Sequence, residues 1–217
     1  MTYHGNVTVG GTPDVRELAD LIITKVAVGP MNNNAYLLRC RHDDSQVLID
    51  AANDTDALLQ AVGDGGLTQV VTTHRHRDHW QSLADVVRLT GAETIAGEDD
   101  ADALPVDVTT RVSHGDQIPV GSCRLEVIHL VGHTPGSIAL LYDDPDGPPH
   151  LFTGDSLFPG GVGRTDSSGA FSTLIDHVET RVFDRLPDET WVYPGHGDDT
   201  TLGAERPQLG EWRARGW

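Results

Sequence analysis

The sequence predicts an α+β fold in a single domain over residues 1–217, and three observations lead there. Short runs rich in Val, Ile and Leu alternate with segments whose apolar residues recur at helical spacing. Gly, Pro and Asp punctuate the joints, and no internal repeat or low-complexity linker interrupts them. A chain of 217 residues is also within what one hydrophobic core can fill before chains tend to split, at roughly 250 residues. The first 17 residues, rich in Gly and Thr, read as a loose lead-in, with the domain proper starting near Leu18.

From there LIITKVAV and AYLLRC read as strands by their β-branched and apolar content, and QVLID as a third. DTDALLQAVG reads as a helix opening on an Asp cap. LTQVVTTH, Leu67 to His74, is a β-branched strand, and WQSLADVVRLTG repeats its apolar residues at helical spacing up to a Gly stop. AETIAG is a short strand and EDDADAL a short acidic helix, a solvated start whose carboxylates complement the helix dipole. CRLEVIHLV is a strand running into GHTPGS. SIALLYDD and HLFTGDSLF are strands joined by the turn DPDGPP. After the glycine-rich loop GGVGRTDSSG comes the helix AFSTLIDHVETRVFDRL, then the strand TWVYPGH. The tail TLGAERPQLGEWRARGW reads as one last helix broken at Pro207.

Acidic residues outnumber basic ones, 33 to 15, for a formal net charge of −18. That field repels phosphate backbones and anionic lipid surfaces, which sets nucleic acid aside as a partner. No segment approaches the roughly 18 apolar residues of a membrane span, and the N-terminus has no charged head followed by an apolar run. The expectation is a cytoplasmic protein that acts on a small-molecule substrate away from membranes. Cys40 and Cys123 lie in strand-like apolar runs without CxxC spacing, so buried free thiols are expected. Lys25 is the single lysine; the other basic residues are arginine.

TTHRHRDHW, Thr72 to Trp80, crowds three histidines and an aspartate into the loop between a strand and a helix, where α/β arrangements commonly place function. A polar turn with solvated histidines would account for this loop alone. His133 in GHTPGS, Asp155 in TGDS and His196 in PGHG, however, each fall at the end of a further strand, so a common edge would bring them together. In extended backbone His74 and His76 point the same way and can reach one ion, while Asp78 and His79, past the bend, can face another. One ion could then take His74, His76 and His133, and a second Asp78, His79 and His196, with Asp155 between them. Imidazole and carboxylate suit two divalent metal ions, zinc ahead of iron or manganese, and positions left open for water distinguish a catalytic site from a closed structural one.

His74-x-His76-x-Asp78-His79 followed in order by GHTPGS, TGDS and PGHG resembles the metallo-β-lactamase superfamily, in particular its glyoxalase II-like hydrolases, over roughly Leu21 to His196. The resemblance implies a four-layer αβ/βα sandwich with the metals at one edge between two sheets, and the same seven ligands. It implies hydrolysis of a small thioester or ester by a metal-bound hydroxide, with Asp78 also steering or accepting the hydroxide proton. GRTD, Gly163 to Asp166, is similar to a loop shared by compact glyoxalase II-like hydrolases and persulfide dioxygenases, which supports the site from outside the ligand set. Arg164 and Asp166 could equally form only a structural ion pair. NNNAYLL, Asn32 to Leu38, is similar to a stretch near the mouth in that group.

Three features set this chain apart from parts of the superfamily. Asp155 stands where the best-known exported β-lactamases carry cysteine, which argues against an antibiotic-hydrolysing role. Trp80, Gln81 and Ser82 stand where many relatives have a glycine, which would reshape the pocket wall. Only about twenty residues follow His196, whereas glyoxalase II enzymes proper have a C-terminal helical domain that grips glutathione. Two rival functions are a mononuclear iron persulfide dioxygenase using His74, His133 and Asp155, and a metal-binding protein without turnover. His129 lies in a strand four residues before His133 and matches no ligand position. His4, His42, His114, His150 and His177 read as surface or loop histidines.

Overall fold

The computed structural model describes residues 2–216; Met1 of the lead-in and Trp217 of the tail lie outside the described residues. The first sheet follows chain order across its width: β1 (Asp14–Glu17), β2 (Leu21–Val28), β3 (Asn33–Cys40), β4 (Gln46–Ile49), β5 (Gln69–Thr72), β6 (Glu93–Gly97) and β7 (Thr110–Val112). β1 to β4 pair antiparallel and β4 to β7 parallel. The second sheet uses β8 (Gln117–Val120), β9 (Cys123–His129), β10 (Ile138–Tyr142) and β11 (His150–Gly154). Beyond the small hairpin of β12 (Leu157–Phe158) and β13 (Gly161–Val162), it adds β14 (Trp191–Pro194) and β15 (Thr200–Thr201). Its spatial order is β15-β14-β11-β10-β9-β8, antiparallel except for β11 beside β14.

Alternation along the strands sorts the side chains into three apolar slabs. On β3, Tyr36, Leu38 and Cys40 face the second sheet and meet Val127, Leu140 and Phe152, whereas Ala35 and Leu37 face the other way. That outer face is covered by α1 (Thr55–Val62) and α2 (Leu83–Thr90) through Leu58, Val62, Leu83 and Val86. The far face of the second sheet is covered by α3 (Ser168–Val178), whose Phe171, Leu174, Ile175 and Val178 fall at i, i+3, i+4 and i+7. Helix, sheet, sheet, helix is the four-layer sandwich expected. Each such buried aliphatic or aromatic side chain contributes about 1.5–3 kcal/mol over exposure, so the slabs hold the fold.

Local chemistry sets the helix ends. Gly91 adopts φ 73° and closes α2, as the Gly stop predicted. Ser167 caps α3 by accepting from Ala170 N, and α3 runs on as a π-helical turn, Glu179–Phe183, that keeps Val182 and Phe183 inside. The tail is interrupted around Pro207: α4 (Leu202–Glu205) and α5 (Leu209–Arg215) flank a 3-10 turn.

Several expectations need correction. Asp54 precedes α1 but makes no side-chain cap; it sits at φ 51°, and its carboxylate accepts from Gly29 N instead. EDDADAL forms only a 3-10 turn, Ala101–Ala103, because Asp100 turns inward. The lead-in is not loose: β1 pairs with β2, His4 N and Gly5 N donate to Asp14 Oδ2, and Tyr3 packs edge-on against Trp191. His150 lies buried in β11, and His177 is half-buried on α3. Cys40 and Cys123 are free and buried, as read. Among the described residues no helix is long and apolar enough to cross a membrane.

Candidate metal centre

The loops after β5, β9, β11 and β14 open at one edge of the sandwich, and they carry all seven candidate ligands there. β5 ends at Thr72, so His74 and His76 lie in a bend rather than on the pleat; a local turn of the chain brings them together, not strand alternation. The 3-10 turn Arg77–His79 then presents Asp78 and His79.

The side chains converge nitrogen to nitrogen. His76 Nδ1 lies 2.9 Å from His133 Nε2, which is 3.3 Å from His74 Nε2. His79 Nε2 lies 3.2 Å from His196 Nε2, and Asp78 Oδ2 is 3.2 Å from His196 Nε2 and 3.5 Å from His79 Nε2. Between the two groups Asp155 Oδ1 approaches His79 Nε2 at 3.3 Å, and Oδ2 lies 3.6 Å from both His133 Nε2 and His196 Nε2. Donors held at about 2.0–2.1 Å around one tetrahedral zinc stand about 3.3 Å apart, and around an octahedral ion about 3.0 Å. The spacing therefore fits a divalent ion in each group. The buried Asp155 Oδ1 also lacks a hydrogen-bond donor, as a ligand oxygen would.

The outer ring nitrogens explain why the inner ones point inward. His133 Nδ1 donates to Arg164 O at 2.7 Å, His196 Nδ1 to Met31 O at 3.1 Å, and His79 Nδ1 to Asp50 Oδ2 at 2.8 Å. His74 Nδ1 faces Thr73 Oγ1, which in turn donates to Asp50 Oδ2. A proton held on the outer nitrogen leaves a lone pair on Nε2 directed at the centre.

Charge is arranged to match. Burial, reinforced by the neighbouring imidazoles, pushes His74 well below the usual histidine range, and burial also lowers His76; neutral imidazole is the form that ligates. Burial opposes a proton on His79, but Asp50 and Asp155 outweigh it and raise this group; at His196 Asp78 does the same. The His196 hydrogen bond holds Asp78 far below the usual carboxylate range. Burial resists ionisation of Asp155, but His79 outweighs it and lowers that group too. Three carboxylates thus favour positive charge beside His79 and His196, which a divalent ion would supply in place of a proton.

Residues outside the seven complete the centre. Asp50, at the end of β4 with φ 59°, joins His79 to Thr73 and His74; its only sequence signal was a charge ending an apolar run. Asn33 Nδ2 donates to Asp78 Oδ2 at 2.9 Å, and Asn34 Nδ2 to Pro194 O and Gly197 O, which gives the NNNAYLL stretch its place. GRTD acts through main chain: among the described residues Arg164 and Asp166 form no ion pair with each other, and it is the Arg164 carbonyl that engages His133. Trp80 Nε1 donates to Arg75 O, bracing the first loop. His129 bonds Pro135 O, away from the centre. A cleft of about 820 Å³ lined by Cys123, Tyr142 and Arg185 lies at the opposite ends of β9 and β10 and contains none of the seven.

Residues 28–196 match the family model described as the metallo-beta-lactamase superfamily. A Polaromonas protein named hydroxyacylglutathione hydrolase is 35% identical over 179 residues, which cover 81% of this chain and 66% of that one. The crystal structure of ETHE1 from Myxococcus xanthus superposes with a TM-score of 0.78 at 32% identity, covering 88% of this chain and 84% of its own. TTHA1623, solved in a di-iron-bound form, superposes with a TM-score of 0.69 at 31% identity, covering 84% of this chain and 96% of its own.

Proposed function

The chain belongs to the metallo-β-lactamase superfamily, and from that membership we propose that it is a binuclear metal-dependent hydrolase of a small thioester or ester. The observation that carries the proposal is the set of seven side chains whose donor atoms face inward in two groups, with the outer nitrogens of His79, His133 and His196 tied to oxygens. His74, His76 and His133 would hold one ion, Asp78, His79 and His196 a second, and Asp155 would lie between them. Likeness to a hydroxyacylglutathione hydrolase supports the thioester, and likeness to a di-iron protein makes iron as well as zinc or manganese a candidate metal.

Ions bound there would activate water and polarise the substrate carbonyl. The protein's own groups do the rest. Asp78, held ionised by His196 and Asn33, can accept a hydrogen bond from water and orient it; a carboxylate of such low pKa retains a proton poorly. The Phe158 ring, 6.4 Å from that of His196, puts apolar surface beside the centre that would suit an acyl group. No serine or cysteine nucleophile is needed.

The test is a panel of thioesters, esters and lactones on protein of measured zinc and iron content, with His76→Ala and Asp155→Ala beside it. Both variants should keep the native circular dichroism and lose turnover; full activity in either would refute the assignment. A second reading, an iron-dependent oxidation of thiol persulfides, is supported by the likeness to ETHE1 from Myxococcus xanthus, the GRTD loop being common to both groups, and would use His74, His133 and Asp155. Oxygen uptake with a persulfide, without hydrolysis of any ester, would establish it. A complete set of seven donors argues against a site kept only to bind metal.

A further inference from the structure

We infer that Asp100 is a positioning residue for the three-histidine half of the centre: one buried carboxylate that sets the separation of His74, His76 and His133. The inference rests on the ligation proposed above. Asp100 is 1% exposed and follows β6, remote in sequence from every ligand it would govern. Its Oδ2 accepts from Arg75 N at 2.9 Å and from Thr134 Oγ1 at 2.5 Å, and its Oδ1 accepts from Gly136 N at 3.0 Å. Arg75 is the residue between His74 and His76, and Thr134 is the residue after His133. One side chain therefore clamps the ligand loop of the first sheet to the ligand loop of the second.

The clamp has little slack. A Cβ on Gly136 would lie 2.4 Å from Asp100 N, and one on Gly97 would lie 2.1 Å from Gly136 O. These close backbone approaches give the second glycine of GHTPGS, Gly136, a reason: it lets the loop close on Asp100. The contacts that depend on the join are those of His133 Nε2 across the two loops, 2.9 Å to His76 Nδ1 and 3.3 Å to His74 Nε2. Asp100 touches no ligand side chain, so it acts through the main chain on either side of them. The other half of the centre is held differently, His79 by Asp50, Asp78 by Asn33 and His196 by the Met31 carbonyl. Loss of the Asp100 clamp should therefore loosen one ion and spare the other.

Asp100→Asn keeps the shape but puts an amide N–H where donors already converge, and Thr134→Val removes one of the three donors. Each would be made in two backgrounds, His196→Ala, which leaves the three-histidine group intact, and His76→Ala, which leaves the Asp78 group. Zinc affinity would be read by competition with a chromophoric chelator, and ligand geometry by the visible bands of the cobalt(II) forms. In the His196→Ala background both changes should weaken binding about 10- to 100-fold and alter the cobalt spectrum, and Thr134→Ser, which restores the hydroxyl, should recover both. In the His76→Ala background none should matter. Unchanged affinity and spectrum in the His196→Ala background would overturn the inference, as would equal weakening in both backgrounds, which would make Asp100 general scaffold. Unsubstituted protein that takes up no divalent ion at all would instead overturn the proposed function, and this inference with it.

Discussion

His150 and His79 are both buried histidines, and their neighbours drive them toward opposite protonation states. His79 has carboxylates on either side and is drawn toward the protonated form. His150 has the Tyr193 hydroxyl at 2.9 Å from Nδ1, and no hydrogen-bond partner at Nε2. Burial, and then the Arg16 guanidinium, hold it down at about 4. In the unfolded chain a histidine titrates near 6.5, so below that pH the unfolded state takes up a proton that the folded state refuses. The stability this group contributes is complete above pH ~6.5 and is lost as pH falls toward about 4, in total on the order of 3 kcal/mol. His150→Gln cannot titrate, so the difference in unfolding free energy between the two proteins should change by that amount over the window in urea titrations. A parallel pH dependence would show that His150 is not held neutral. The seven candidate ligands could be picked out together because metal chemistry restricts residue type and the order of motifs is distinctive. Their supports were less so: a main-chain acceptor such as Met31 O or Arg164 O can belong to any residue, and buried His150 looked like any other histidine beside a turn.

At the scale of elements, periodicity located the strands and the principal helices because each has a face against one of three apolar slabs. It failed where polar residues serve tertiary contacts. EDDADAL had the composition of a helix start, yet Asp100 bonds two distant loops rather than its own helix dipole. The same long-range demand appears in the loops that glycine allows to touch. A Cβ on Gly195 would lie 2.2 Å from Asp155 Oδ1 and 2.7 Å from His79 Cε1. Gly195→Ala should thus displace the Asp155 carboxylate from between the two histidine groups, with an overpacking cost of about 1–3 kcal/mol. Because reacting groups tolerate about 1 Å of misplacement only at roughly 10²-fold in rate, turnover should fall by that order. Gly210 in α5, where an added Cβ meets nothing within 4 Å, is the matched control. Gly210→Ala should leave activity alone and gain a few tenths to about 1 kcal/mol from helix propensity. Native kinetics in Gly195→Ala would mean that the β14 loop adapts and that its close approach is incidental.

Across the whole molecule, the chain's one lysine joins parts that no sequence pattern connects. Lys25 on β2 is fully buried, and its ammonium donates to Gly5 O at 2.7 Å, Gly197 O at 2.7 Å and Asp199 Oδ1 at 2.6 Å. Asp199 Oδ2 accepts in turn from Tyr3 Oη and Trp191 Nε1. The network ties the N-terminal segment, the first sheet and the His196 loop of the second sheet at one point. Three acceptors arranged around a point suit an ammonium with three rotatable donors better than a planar guanidinium, which accounts for lysine here in an otherwise arginine-only chain. Lys25→Met should therefore cost about 3–5 kcal/mol by leaving the Asp199 charge buried without its cation, measured by denaturant unfolding. Lys25→Arg should recover little of that, because its fork cannot reach all three oxygens. Lys25→Met combined with Asp199→Asn should recover much of it, since removing both charges leaves neither uncompensated. If Lys25→Met cost less than about 1 kcal/mol, the value of an exposed pair, the two sheets would be held by their apolar slabs alone.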